Sequence, residues 1–126
     1  MDRLRQELRL VERHFGRVSV DEGLKWFIIE EFPLPPGLYN RQQTRLLHFL
    51  GAAYPQTPPD NFLVPAGLRT ASGEMPGSGY AEGHQHLGDS WGLFSWHAGN
   101  WNPAPEILDG DNLVAFLFTV QKRFAG

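Results

Sequence analysis

The sequence predicts a single α+β domain, because it places an amphipathic helix near each end of the chain and β-type segments between them. With 126 residues, the chain has the length of one ordinary domain. Its hydrophobic fraction of 41% and its charged fraction of 20% are typical of a globular protein. We therefore interpret residues 1–126 as one domain.

The first helix is predicted over residues 2–15. Asp2 stands where an N-cap or a first-turn acid belongs, and Gly16 follows the last helical residue, where glycine commonly ends a helix. The charged residues around the helix, among them Glu7 and Glu12, are interpreted as a solvated face. Apolar residues at helical spacing form one stripe that should face the core: Leu4, Leu8, Val11 and Phe15.

Three segments rich in β-formers follow, at 24–29, 44–50 and 61–64. Their connections are too short for helical crossovers, so we expect an antiparallel meander of roughly three to five strands. The connection at 54–59 contains three prolines and should be stiff, with the Tyr54 ring packed against the sheet. The following residues should be mostly buried: Trp26, Ile28, Leu47, Phe49, Phe62, Leu117 and Val120.

The second half of the chain is predicted to contain a long loop and a helix. Residues 65–90 are rich in glycine and show no sustained periodicity, so they are expected to form a long surface loop. A helix should then span residues 111–124, with Asp109 or Asp111 as its N-cap. Its apolar stripe consists of Leu113, Phe116, Leu117, Val120 and Phe124.

Charge and composition exclude several classes of function. The formal net charge of −3 argues against a nucleic-acid-binding protein. No apolar run reaches the roughly 20 residues needed to span a bilayer, and the first ten residues carry too many charges for a secretory signal. A cytoplasmic protein without membrane association is expected. Because the chain has no cysteine, disulfides, thiolate metal sites and thioester intermediates are excluded.

The order of motifs along the chain is informative. An N-terminal helix and an antiparallel meander are followed by Tyr-Pro-x-x-Pro-Pro at 54–59 and by Trp-x-Pro-Ala at 101–104, ahead of a helix. In this order the motifs resemble the ubiquitin-conjugating (UBC) fold. Three further segments are similar to those of the prokaryotic branch of this superfamily called family E: Leu34–Tyr39, Pro58–Phe62 and Trp91–His97. The resemblance implies one UBC-like domain over residues 1–126, working in a bacterial ubiquitin-like modification system.

The resemblance also implies what the domain does. A catalytic member would carry its thioester cysteine around positions 93–95, which here hold Leu93, Phe94 and Ser95. The usual His-Pro-Asn tripeptide is missing, and residues 84–86 lie only in its neighbourhood. We therefore expect a pseudoenzyme without a cofactor, which binds a ubiquitin-like protein or its activating enzyme.

His97 and Ser95 are the candidate catalytic residues. Family E features a histidine after the nucleophile position, and the resemblance assigns this place to His97. Ser95 lies two residues earlier, so on a regular strand both side chains would face the same side. Transfer of a ubiquitin-like protein through an oxyester on Ser95, with His97 as base, is the alternative to a binding module. The other interpretation of His97 is a ring that packs beside tryptophans and hydrogen-bonds the backbone.

Aromatic residues are the candidates for binding a partner. Trp91 and Trp96 are interpreted as part of an exposed platform for a peptide or a ubiquitin-like tail, with Tyr54 as a further binding residue. The opposing interpretation is that the rings close the core under the glycine-rich loop. In that case they would contribute to stability and offer a partner no surface.

A metal site is the weaker candidate. His84 and His86 alternate along an extended segment and, with Asp89, resemble half of a zinc site. Glu82 and His97 are possible additions, but no third ligand stands at a fixed spacing. A small metal-binding domain therefore remains a further alternative, and a polar flexible loop is the other interpretation of this segment.

Overall fold

The computed structural model describes residues 2–126 and shows a six-stranded antiparallel sheet with both helices packed against one face. The strand order across the sheet is β1-β2-β3-β4-β6-β5. The predicted α+β architecture is confirmed. No helix within residues 2–126 is long and apolar enough to cross a lipid bilayer. The elements are α1 (Arg3–Phe15), β1 (Val18–Val20), β2 (Trp26–Pro33), β3 (Gln43–Phe49), β4 (Asp60–Pro65), β5 (Tyr80–His86), β6 (Asp89–His97), a short 3-10 helix (Ile107–Asp109) and α2 (Leu113–Ala125).

Helix α1 begins and ends where the sequence predicts. The Asp2 carboxylate accepts a hydrogen bond of 2.9 Å from the Arg5 backbone N–H, which satisfies one of the free donors of the first turn. Gly16 has a φ of 85° and donates its N–H to the Glu12 carbonyl at 2.9 Å. A positive φ of this kind strains most other residues, and it turns the chain toward β1.

The sheet is larger than predicted, although all three predicted strands are present as β2, β3 and β4. Strand β1 was not predicted, and the region 65–90 contains β5 and the start of β6 rather than one long loop. The register of β5 against β6 shifts between Glu82 and His84, at Gly83 with its φ of 108°. This bulge interrupts the alternation of side chains, so the segment lacks the period of a regular strand.

The sheet carries apolar residues on both faces. The main core lies between the sheet and the helices, and a second cluster occupies the helix-free face: buried Ile28, Leu47, Leu63 and Trp91, with half-buried Trp26 and Leu93. Phe49 is 47% exposed, so its predicted burial is wrong. It ends β3 and lies at the margin of the second cluster, against the ring of His86 at 5.1 Å. Trp26 is half-buried, and the other residues predicted to be buried are confirmed.

Helix α2 begins two residues later than predicted, and the predicted cap is wrong. Asn112 is the N-cap, and its side-chain oxygen accepts from the Ala115 backbone N–H at 2.9 Å. Asp109 belongs to the preceding 3-10 helix. The Asp111 carboxylate instead accepts from the Asn102 backbone N–H at 2.7 Å, so it holds the Trp-x-Pro-Ala segment beside the start of the helix.

Candidate functional site

The proline turn between β3 and β4 is joined to the Trp-x-Pro-Ala segment. The Tyr54–Pro55 peptide bond is cis. The Trp101 indole N–H donates to the Pro55 carbonyl at 2.9 Å, and the centroids of the Tyr54 and Trp101 rings lie 5.9 Å apart. Two of the motifs that carry the sequence resemblance therefore form one hydrogen-bonded unit.

A buried carboxylate connects this unit to both helices. Glu7 is fully buried, and its Oε1 accepts from the Tyr54 hydroxyl at 2.5 Å and from the Leu113 backbone N–H at 2.6 Å. Its Oε2 accepts from Arg3 Nε at 2.7 Å. Burial, and then the bond to Glu7, raise the pKa of Tyr54, so its hydroxyl stays protonated as a donor.

The interpretation of Glu7 as part of a solvated face is wrong. Helical spacing shows which residues share a face of α1, but it does not show that α2 begins beside that face. The Leu113 N–H lies in the first turn of α2, where the helix dipole favours a negative charge. Tyr54 packs at the main core, but the partners of its side chain are Glu7 of α1 and Trp101 rather than residues of the sheet.

Ser95 and His97 lie at the C-terminal end of β6, and both are exposed. Asp60 and His97 are partners across β4 and β6, but the register shifts between Asp60 and Phe62, so regular alternation is interrupted here. Within residues 2–126, neither the Ser95 nor the His97 side chain forms a hydrogen bond, ion pair or ring contact. The bond between nucleophile and base that an oxyester mechanism needs is therefore not formed in this structure.

The positions of the expected cysteine, 93–95, belong to a strand that is paired on both sides. Leu93 pairs with Leu63 of β4 and with Ala81 of β5. Phe94 is 1% exposed and belongs to the main core. Leu93 and Phe94 therefore contribute to the packing of the sheet. Ser95 is the one residue of the three that is exposed.

The two tryptophans proposed as a platform lie on opposite faces of the sheet. Trp91 is 0% exposed in the second cluster, with the Arg45 guanidinium 5.3 Å from its ring centroid, so its ring offers a partner no surface in this conformation. Trp96 is half-buried against the main core, and its indole N–H donates to Thr119 Oγ1 of α2 at 3.0 Å. Of the three candidate binding residues, Trp96 and Tyr54 are half-buried, and they alone of the three keep accessible surface.

The histidines of β5 do not converge with other ligands. The ring of His86 lies 4.9 Å from that of Trp26, so it covers the edge of the second cluster, whereas His84 is exposed. In the part of the chain that the structure describes, no three His, Cys, Asp or Glu side chains are grouped as metal ligands. Within the described residues, His84, His86 and Asp89 therefore do not form the group of metal ligands that the zinc-site hypothesis needs.

A small groove beneath the proline turn was not predicted from the sequence. His48 lines it and is only 2% exposed. Nδ1 of this ring lies 2.9 Å from the Asn61 carbonyl, which can only accept, so Nδ1 carries the proton. Burial lowers the pKa of His48 to about 4, which keeps the ring neutral at neutral pH. The groove holds about 120 Å³ between His48, Phe49, Tyr54, Pro58, Pro59 and Asp60.

Glu82 of β5 holds the loop that follows β4. Its carboxylate accepts from Arg69 at 2.8 and 3.3 Å, from the Tyr80 hydroxyl at 2.7 Å and from the Gly67 backbone N–H at 2.8 Å. The bonds from Arg69, and then those from Tyr80 and Gly67, lower the pKa of Glu82 to about 2. This network connects the loop to the edge of the sheet.

Glu82→Gln is expected to lower the free energy of unfolding by about 1 kcal/mol at neutral pH, because a neutral amide accepts fewer and weaker hydrogen bonds. The folded pKa of about 2 lies below the ordinary 4.5, so the contribution is present above pH 4.5 and is lost as the pH falls toward 2. Urea unfolding of both proteins across this range measures it, with Glu106→Gln on the surface as the control. A difference that persists unchanged at low pH would contradict the prediction.

An N-terminal helix, an antiparallel meander, and a proline turn bonded to a Trp-x-Pro-Ala segment ahead of a second helix define a ubiquitin-conjugating-like domain. Over residues 3–125 the chain matches the family model of prokaryotic E2 family E, and it belongs to that family. Comparisons with curated proteins and with solved structures found no match. Membership supports a role in a bacterial pathway of ubiquitin-like proteins.

Proposed function

We propose that this domain is a non-catalytic binding module, which holds a ubiquitin-like protein or its activating enzyme and forms no thioester with it. The proposal is carried by the region around positions 93–95, where the chain has no cysteine and where Leu93 and Phe94 pack into the sheet. Thioester formation needs a thiolate. The family fold therefore supplies a surface here rather than a nucleophile.

The proposed binding surface is the end of β6, formed by Ser95, Trp96 and His97. The His97 side chain has no partner within residues 2–126, so its ring is available to donate to a carbonyl of a bound chain. The accessible part of Trp96 offers apolar area beside it. An extended C-terminal tail presents backbone carbonyls and N–H groups that suit such a surface.

His97→Ala is expected to weaken binding of the partner by about 1 to 2 kcal/mol, the scale of a hydrogen bond lost at a partly buried contact. Stability should change little, because His97 is exposed and its side chain forms no hydrogen bond, ion pair or ring contact within residues 2–126. Titration calorimetry with the ubiquitin-like protein and the activating enzyme of the same organism measures the effect. His84→Ala removes another exposed histidine and is the control. Unchanged affinity in both His97→Ala and Trp96→Ala would place the binding surface elsewhere, for instance on α1.

A second experiment separates a binding module from an enzyme. The protein is incubated with the activating enzyme, ATP and a labelled ubiquitin-like protein, and we expect no covalent adduct on this chain. The alternative is an oxyester on Ser95 formed with His97 as base. An adduct that survives reducing agent and disappears in Ser95→Ala would overturn the non-catalytic function.

A further inference from the structure

The groove beneath the proline turn contains a hydrogen-bond acceptor that the fold leaves unused. His48 Nδ1 donates to the Asn61 carbonyl, so in the neutral ring Nε2 carries a lone pair and no proton. Within residues 2–126, Nε2 of His48 has no hydrogen-bond partner. The one fully buried and unpartnered side-chain nitrogen or oxygen of the described residues belongs to His86, so Nε2 of His48 must be partly open. Since His48 lines the groove, we take Nε2 to be open toward it.

The charge of the groove is negative. Asp60 stands at its exposed rim and forms no ion pair among the described residues. No lysine or arginine lines the groove, and the pKa of His48, lowered to about 4, leaves that ring uncharged at neutral pH. One carboxylate and one imidazole acceptor therefore face a space that has no cation of its own.

The walls of the groove are apolar. Three of its lining residues, Phe49, Pro58 and Pro59, are apolar. The volume of about 120 Å³ is below the roughly 300 Å³ at which small-molecule pockets begin, and it suits one long side chain rather than a whole ligand. Apolar walls with acceptors along them fit an aliphatic stem that ends in a cation.

We propose that this groove binds the side chain of a lysine from a partner protein, with the alkyl stem along Pro58 and Pro59 and the ammonium group donating to His48 Nε2 and Asp60. An ammonium is compact and has three donors, whereas a guanidinium needs a flat space for its fork of donors. The proposal rests on the proposed function in one respect, since it takes the lysine to belong to the protein that the domain binds.

The groove is tested with a small probe, Nα-acetyl-lysine N-methylamide. The ring nitrogens of the histidines are labelled with ¹⁵N, and the His48 Nε2 resonance is followed by NMR during titration at neutral pH. We expect a saturable shift of this resonance, and no such shift with the norleucine analogue, which has the same stem without the ammonium. An equal shift with the norleucine compound, or no shift with the lysine compound, would overturn the proposal.

Two variants test the named acceptors. Asp60→Asn should weaken binding of the lysine compound about three- to fivefold, the scale of one exposed charge pair, whereas Asp109→Asn outside the groove should have no effect. His48→Asn retains a donor toward the Asn61 carbonyl but removes Nε2, so the folded variant should no longer bind. Equal affinity of wild type and Asp60→Asn for the lysine compound would contradict the proposed site. This test remains valid even if His48→Asn fails to fold.

The source of the lysine is tested separately with the partner. Acetylating the partner's lysines should weaken its binding to the wild-type domain and should have a smaller effect on Asp60→Asn. Equal weakening in both would show that the partner's lysines act elsewhere. It would overturn the proposal that the lysine in the groove belongs to the partner protein. If the partner fails to bind the wild type at all, the proposed function falls, whereas the result with the lysine compound still decides whether the groove binds an ammonium.

Discussion

Replacing Glu7 with alanine is expected to lower the free energy of unfolding by about 3 to 5 kcal/mol, the scale measured when one partner of a buried charge pair is removed. The substitution leaves three donors without their acceptor: Arg3 Nε, the Tyr54 hydroxyl and the Leu113 backbone N–H. The Arg3 side chain is only 20% exposed, so water can replace little of the hydrogen bonding that Arg3 loses with the Glu7 carboxylate. Because these donors belong to α1, the proline turn and α2, one substitution weakens the contact of three elements.

Urea unfolding at neutral pH measures this loss. Glu12→Ala is the matched control, because Glu12 is an exposed glutamate on the same helix, and a change within about 0.5 kcal/mol is expected for it. Glu7→Gln keeps the shape and one accepting oxygen, so its effect should lie between the two. If Glu7→Ala costs no more than Glu12→Ala, the carboxylate does not hold these elements together.

Acidification from pH 6.5 to about 4 is expected to remove about 3 kcal/mol of stability through His48 alone. The folded pKa of about 4 lies below the ordinary 6.5, so the unfolded chain binds the proton first as the pH falls. The contribution is therefore complete above pH 6.5 and is lost progressively toward pH 4. The size follows from about 1.4 kcal/mol for each unit by which the pKa is lowered.

Other groups titrate in the same range, so the effect is isolated by comparison with His48→Asn. The free energy of unfolding of wild type should fall more steeply between pH 6.5 and 5 than that of His48→Asn. His84→Asn, which changes an exposed histidine, should keep the wild-type slope. Equal slopes in wild type and His48→Asn would show that protonation of the His48 ring does not lower the free energy of unfolding.

Local patterns predicted the elements whose sequence has a regular period. The helix over residues 2–15 was predicted with its N-cap and its final glycine, because both the apolar stripe and the capping residues lie within the helix or next to it. The central strands were predicted from runs of β-formers. Strand β5 was missed, since the bulge at Gly83 breaks the alternation by which a strand is recognised.

The site was predicted less completely than the fold. The sequence indicated Ser95, His97 and the tryptophans because of their residue types, but the exposure of each depends on strand pairing across the sheet. Trp91 and Trp96 are similar in sequence context, yet one is fully buried in the helix-free cluster and the other borders α2. No local sequence pattern predicts this difference in burial.

The sequence by itself determined the α+β class, both helices, the order of motifs that indicates the E2-like family and, through the absence of cysteine, that this chain forms no thioester. The tertiary structure alone decided that Glu7 is a buried acceptor for three elements and that the buried His48 lines a groove beneath the proline turn. The physical reason is that burial and hydrogen-bond partners come from residues far apart in the chain, such as Glu7 and Leu113, whereas helical and strand periods are properties of neighbours.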